Sequence, residues 1–101
     1  MAKLAKAVNS LAAEKDLARI RRFYERELTG LGDRFLARFY EVVNLIQRHP
    51  ELHEKIHKNY RVALCRPYPH LIFYDYQDGV VTVDAVIHGA RDSSIWMRRL
   101  K

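Results

Sequence analysis

The sequence predicts an α+β fold in which a helical hairpin packs on a small antiparallel sheet. The first half of the chain carries two apolar stripes at helical spacing, joined by a short turn that contains two glycines. The second half is rich in β-branched and aromatic residues that alternate with polar ones, the pattern of half-buried strands. Because each amphipathic element needs an apolar partner, we expect two layers around one core.

The two predicted helices are bounded by capping and breaking residues. Residues 11–28 form the first helix, with Ser10 before them as the N-cap candidate. Residues 35–46 carry the second stripe, and that helix should end near His49, because Pro50 disfavours helical geometry in the residue before it. The first helix has its apolar stripe at Ala13, Leu17, Ile20, Tyr24 and Leu28, and its other faces carry Lys15, Asp16, Arg19, Arg22 and Glu25.

Three strands follow a polar connector at residues 51–59. They are predicted at residues 60–66, 71–76 and 80–88, and Gly79 marks a hairpin turn between the last two. One face of the third strand is predicted to carry Val81, Val83, Ala85 and Ile87, and the other Thr82, Asp84 and His88.

Both ends of the chain add shorter elements. Asp92 is the capping candidate of a final helix over residues 92–101. Residues 1–8 are left open between an edge strand and a divergent end, because their alanines and lysines are poor strand formers. The predicted order of elements is therefore α-α-β-β-β-α, or β-α-α-β-β-β-α if residues 1–8 form an edge strand.

Length and composition narrow the class of protein. The length suits a single domain over residues 1–101. Eighteen Lys and Arg against twelve Asp and Glu give a formal charge of +6, which favours anionic partners. Cys65 is the single cysteine, which excludes an intramolecular disulfide and a CxxC motif. We find neither a signal-peptide pattern nor a membrane-spanning apolar run, so we expect a cytoplasmic protein.

Five motifs occur along the chain in a distinctive order. They are Asp16-Leu17 with Ile20 and Tyr24, then Arg34-Phe35-Leu36, His49-Pro50-Glu51, Tyr60-Arg61 followed by Tyr68-Pro69-His70 and an apolar strand, and His88-Gly89-Ala90-Arg91-Asp92 with Trp96. In this order they resemble the RelE/ParE toxins of bacterial type II toxin–antitoxin pairs, and the ending resembles the ParE branch. His70 departs from the family pattern, where an aromatic residue is common.

The resemblance implies a growth-inhibiting toxin, and the branches imply different targets. The ParE side implies inhibition of DNA gyrase, with plasmid stabilisation, through binding rather than hydrolysis. The RelE side implies a ribosome-dependent mRNA endonuclease. A non-toxic interaction module of the same fold is the third alternative. We place the gyrase inhibitor first, because the central strands carry fewer basic residues than is usual in the endonuclease branch.

An endonuclease would need a general base, a general acid and cations that stabilise charge on the phosphate. The candidates are Arg61, Arg66, His88 and Arg91. We expect His88 and Arg66 to meet on neighbouring strands. The alternative, which we favour, is that His88 and Arg91 hold the final helix through hydrogen bonds to Asp92 or to backbone carbonyls.

The end of the chain is the candidate target-binding surface, because it combines an aromatic anchor with cations. Its residues are Trp96, Arg98, Arg99 and Lys101. The alternative is a helix that docks through Trp96 while its charges stay solvated.

No metal or cofactor is predicted. His49, His53 and His57 recur every four residues, a spacing that places imidazoles on one face of a helix. Pro50, however, separates His49 from any helix that the other two share. A solvated connector is the more natural interpretation.

The resemblance also implies a cognate antitoxin, expected to be acidic and encoded next to the toxin. Its carboxy-terminal segment would wrap the toxin, commonly as an amphipathic helix in a groove beside the sheet and the helical hairpin, and would form a hetero-oligomer. We therefore expect the protein to behave poorly alone and to be rescued by coexpression.

Overall fold

The chain folds as a mixed five-stranded sheet with helices on both faces. The structure, a computed structural model, describes residues 4–100. Within that range the sheet has the strand order β1-β5-β4-β3-β2. The elements are β1 (Lys6–Asn9), α1 (Leu11–Glu27), α2 (Leu31–Arg48), β2 (Lys55–His57), β3 (Tyr60–Leu64), β4 (His70–Gln77), β5 (Val80–His88) and α3 (Ser93–Arg99). The predicted α+β fold and its order of elements are confirmed, with β2 as an addition.

Local signals explain the bounds of the helical hairpin. The Ser10 hydroxyl accepts a hydrogen bond from the Ala13 amide at 3.1 Å, so Ser10 is the N-cap of α1 as predicted. The start of α2 is capped from α1, because the Glu25 carboxylate accepts from the Gly30 amide at 2.9 Å and the Gly32 amide at 3.0 Å. α2 ends at Arg48, next to the predicted His49.

The sheet is mixed because β1 runs parallel to β5. Residues Lys6 to Asn9 pair with Val80 to Val83, whereas the other strand pairs are antiparallel. Backbone bonds form this edge, including one from the Ser10 amide to the Val83 carbonyl at 2.8 Å. Side-chain propensity therefore underestimated β1, since ladder bonds do not depend on the side chain.

The connector at residues 51–59 contains a strand that the sequence pattern did not predict. β2 pairs antiparallel with β3, and the register shifts between Lys55 and His57. Lys55 and Ile56 are both exposed, so these three residues show no alternation of buried and exposed positions.

A β-bulge interrupts β5 at Asp84. Phe73 pairs with Ala85 and Tyr74 pairs with Val83, which leaves Asp84 as the extra residue. The predicted alternation along β5 is therefore wrong beyond the bulge. Val81, Val83 and Val86 face the helical hairpin, while Ala85 and Ile87 belong to the cluster on the opposite face.

α3 covers that opposite face and adds a third layer to the two that we predicted. Trp96 and Leu100 pack there with Phe73, Ala85 and Ile87. Leu100 is only 1% exposed. Within residues 4–100, no helix combines the length and the apolar composition that crossing a membrane requires.

Candidate functional site

A groove lies between α1 and α3, along the part of β5 that β1 does not reach. Its volume is about 740 Å³, within the range of ligand pockets. We call it the basic groove and define it by the residues that line it: the cations Arg19, Arg26, Arg91 and Arg99, the imidazoles His70 and His88, and the apolar or aromatic Ile20, Phe23, Tyr24, Val86, Ile87 and Ile95.

Asp16 binds three residues that line the basic groove and connects α1, β5 and α3. Its carboxylate accepts from the Val86 amide at 2.9 Å, from both Arg99 Nη atoms at 2.9 and 3.2 Å, and from Arg19 Nη2 at 3.2 Å. Asp16 is 2% exposed. A buried carboxylate needs this kind of partnership, because an unpaired charge away from water is very costly.

The prediction that Asp16 lies on a polar face of α1 is wrong. The bulge at Asp84 and the end of β1 leave the Val86 amide without a neighbouring strand on that side, and the Asp16 carboxylate takes the strand's place. The Asp84 carbonyl is satisfied in the same region, by Arg99 Nη2 at 3.1 Å and the Ser10 hydroxyl at 3.4 Å.

His70 lies in the wall of the groove as a neutral, buried imidazole. It is 6% exposed and sits among aromatic rings, 5.4 Å from Phe35 and 5.9 Å from Tyr24 between centroids. Burial, together with the charge interaction with the nearby His88 ring, lowers the pKa of His70 to about 4. Its Nδ1 has no hydrogen-bond partner within residues 4–100.

Of the four candidate catalytic residues, His88 and Arg91 line the groove together. The ring of His88 accepts a hydrogen bond at Nδ1 from the Ala90 amide at 3.0 Å, which places its proton on Nε2. The His88 carbonyl accepts from the Arg91 amide at 3.0 Å. These bonds form the turn after β5. We expected the His88 ring to bond to Asp92 or to a backbone carbonyl, but it bonds to a backbone amide.

Arg61 and Arg66 lie away from the groove. The Arg61 guanidinium donates to the carbonyls of Glu51 at 3.2 Å and His53 at 2.6 Å, and so holds the connector before β3. Arg66 is exposed beyond the end of β3. The expectation that Arg66 and His88 occupy neighbouring strands is wrong, because β4 lies between β3 and β5.

The predicted target-binding residues have different environments. Trp96 stacks on Phe73 with centroids 5.2 Å apart, and Arg99 holds Asp16, so both have structural contacts. Arg98 is exposed on α3. Lys101 lies outside the described residues.

The histidines of the connector do not converge. His53 Nδ1 is 3.1 Å from the Tyr74 hydroxyl, whereas the ring of His57 lies against Trp96 at 6.2 Å. Within residues 4–100, no group of three or more His, Cys, Asp or Glu side chains is arranged to bind a metal.

Sequence reasoning missed Arg19, Arg26 and His70 as residues of the groove, and it missed Asp16 as the carboxylate that binds two of the groove's cations. Asp16 carried a usable signal, since it lies four residues before Ile20 and therefore beside the apolar stripe of α1. A carboxylate at such a position requires a partner. The identity of that partner, Arg99, depends on how the far end of the chain docks.

Comparison with known proteins agrees with this architecture. A chain from a structure described as the chromosomal ParDE TA system from P. aeruginosa superposes with a TM-score of 0.75 at 11% identity, covering 84% of this chain and 96% of that one. At this identity the match shows a shared fold. No curated protein matches the chain significantly. Residues 8–93 match the family described as ParE toxin of type II toxin-antitoxin system, parDE, so the chain belongs to the ParE toxin family.

Proposed function

We propose that this protein inhibits bacterial growth by binding DNA gyrase and that a cognate antitoxin neutralises it. Membership of the ParE toxin family supports a toxin that has an antitoxin partner. Binding to gyrase and neutralisation by the antitoxin go beyond family membership and are part of the proposal. The proposal also places the protein in the cytoplasm, where gyrase acts on DNA.

The arrangement of the candidate catalytic residues supports binding over hydrolysis. General acid–base cleavage of RNA needs a base, an acid and cations around one phosphate. Arg61 instead holds backbone carbonyls of the connector, and the Nδ1 of His88 holds the turn after β5. Two of the four candidates therefore have structural tasks, and Arg61 lies across β4 from β5.

Exposed cations and apolar groups on α3 support a target surface there. Arg98 is exposed, and Met97 is 46% exposed beside it. Arginine and methionine are both enriched in protein interfaces. Trp96 and Arg99 position this helix through Phe73 and Asp16.

One observation favours a ribosome-dependent mRNA endonuclease as the second candidate. His70 and His88 line the same groove as Arg19, Arg26, Arg91 and Arg99, so two imidazoles and four guanidinium groups border one cavity. Guanidinium groups bind phosphate well. In that case, substituting His88 by Ala should abolish cleavage of mRNA.

The test is induced expression in a bacterial host, with growth, plasmid supercoiling and nascent protein synthesis followed in one culture. We expect growth arrest with altered supercoiling, and purified protein should block supercoiling by purified bacterial gyrase. Arrest with a translation block and cut mRNA would replace gyrase by the ribosome. Unimpaired growth at confirmed expression would contradict the toxin proposal in favour of a non-toxic interaction module.

A matched pair of charge reversals tests the surface of α3. Arg98→Glu should weaken gyrase inhibition, whereas Arg34→Glu, at an exposed position of α2, should not. Circular dichroism checks that both variants fold. Equal inhibition by the two variants would contradict a role for α3 in target binding.

A further inference from the structure

The solvent side of α1 carries a row of cations. Four residues recur there at spacings of four, three and four positions, and all four are exposed: Lys15, Arg19, Arg22 and Arg26. At 3.6 residues per turn, they lie within about 60° of one another around the helix axis and span about 17 Å along it. We call these four residues the cationic face of α1.

The cations of this face are available to a ligand. Within residues 4–100, Lys15, Arg22 and Arg26 form no ion pair. Arg19 uses Nη2 to bind Asp16 at 3.2 Å, and its side chain remains 61% exposed. Because a guanidinium has five N–H donors, Arg19 can bind Asp16 and a second anion at the same time.

The glutamates of α1 do not neutralise the cationic face. The Glu25 carboxylate accepts from two backbone amides at the start of α2, at 2.9 and 3.0 Å. The Glu14 carboxylate accepts from the side-chain amide of Asn9 at 3.2 Å. Glu27 follows Arg26 directly and therefore lies about 100° away from it around the helix axis. The face thus presents positive charge to solvent.

This composition matches a phosphate backbone better than a protein surface. The centres of protein interfaces are apolar and depleted in lysine, whereas the cationic face consists of charged residues alone. Lysine and arginine are common donors to phosphate in complexes with DNA. Each strand of a duplex carries one phosphate per about 3.4 Å of axis, so a face about 17 Å long can contact several of them.

From this arrangement we infer that the cationic face of α1 binds the phosphate backbone of duplex DNA. The inference rests on the proposed function for the identity of that DNA, which is the duplex on which gyrase acts. α1 and α3 both border the basic groove, so DNA held by a target at α3 can reach α1.

A duplex suits this face better than a single strand. Proteins that bind single strands combine cations with aromatic rings on which the bases stack. The cationic face contains no ring, and the exposed Phe23 beside it lines the basic groove. Because contacts to phosphate carry no sequence information, we expect the same affinity for duplexes of different sequence.

The test measures binding of the full-length protein to a fluorescently labelled DNA duplex of about two helical turns by anisotropy at several salt concentrations. With four phosphate contacts, the logarithm of the association constant should fall against the logarithm of salt concentration with a slope of about −3.6. No binding at low salt, or an affinity that salt does not change, would overturn the inference.

Matched double variants separate the cationic face from the overall charge. Arg22→Ala with Arg26→Ala should weaken DNA binding at least about tenfold and make the salt slope shallower by about two. Arg34→Ala with Arg48→Ala removes the same charge from exposed positions of α2 and should leave the affinity within about twofold. Circular dichroism checks that both variants fold, and equal losses of affinity in the two would overturn the inference.

Competition tests the other polyanions that could occupy the face. The unlabelled competitors are the same DNA duplex, a single-stranded DNA, an RNA duplex and a glutamate-rich peptide. If any of the last three displaces the labelled duplex at a lower concentration than the DNA duplex does, the face belongs to that class and the inference fails. The assay contains no gyrase, so its failure leaves the proposed gyrase inhibition intact, and absence of growth arrest leaves the DNA-binding result valid.

Discussion

The carboxylate of Asp16 and the guanidinium of Arg99 form a two-point ion pair across the edge of the sheet, with N–O distances of 2.9 and 3.2 Å. The two residues are 83 positions apart in the chain. α1 and α3 lie on opposite faces of the sheet, so this pair holds the two helices together beside β5. The stability of the basic groove therefore depends on it.

Removing the Asp16 carboxylate should destabilise the protein strongly. Asp16→Ala leaves Arg99 and the Val86 amide without their partner, and we expect the free energy of unfolding to fall by about 3 kcal/mol. Urea denaturation measures the change. Asp33→Ala is the matched control, because the Asp33–Arg21 pair is exposed and should contribute less than about 1 kcal/mol. Similar losses in the two variants would contradict the structural role of Asp16.

His70 should make the fold sensitive to mild acid. Its pKa is about 4 in the folded protein and near 6.5 in the unfolded chain, so the unfolded chain binds more protons between these values. Stability is therefore full above about pH 6.5 and falls as the pH drops towards 4, by roughly 3 kcal/mol in total from this group.

His70→Phe tests that expectation and suits the surrounding aromatic rings. It should remove most of the difference in urea midpoint between pH 7.5 and pH 5, and should raise stability at pH 5, because no imidazole then has to be protonated on unfolding. If the variant and the native protein lose stability in parallel, another group causes the acid sensitivity.

Trp96 should hold α3 on the sheet. The indole stacks on Phe73 at 5.2 Å, and we expect Trp96→Ala to cost about 2 kcal/mol, less than for a fully buried tryptophan because Trp96 is half-buried. Met97→Ala, at a position that is 46% exposed, should cost less than about 1 kcal/mol. Denaturation followed by circular dichroism compares the two, and a larger loss for Met97→Ala would be inconsistent with the docking of α3.

Gly32 should not tolerate a side chain. A Cβ at this position would lie 2.5 Å from the Arg21 carbonyl oxygen, so Gly32→Ala must push α1 and α2 apart. We expect a loss of about 2 kcal/mol and a lower melting temperature. Gly89→Ala is the control, since a Cβ at that position would lie 3.4 Å from its nearest neighbour, the Pro69 carbonyl oxygen. Unchanged melting of the Gly32 variant would show that the hairpin can adjust.

The sequence predicted those features that are set by neighbouring residues. Ser10 and Pro50 fixed the outer limits of the helical hairpin because capping and proline effects act within one turn. Gly79 set the last hairpin turn, and β5 has the predicted bounds, residues 80–88.

Long-range docking decided the rest. Period-two alternation does not mark Asp84 as an extra residue. It therefore assigns each later residue of β5 to the wrong face of the sheet. The partner of Asp16 and the cations of the groove depend on where α3 packs, a contact between the two ends of the chain. His88 and Arg91 were predicted as candidates, but the wall that Arg26 supplies became visible only in the fold.

The bulge at Asp84 also has a consequence for comparing relatives of this protein. Deleting that one residue would return β5 to regular pairing and would leave the later residues on their present faces, because Ala85 would then directly follow Val83 and still pair with Phe73. Relatives can therefore differ by a single insertion or deletion here and still align well on either side of it. Correspondence of groove residues in an alignment has to be judged by counting from the bulge.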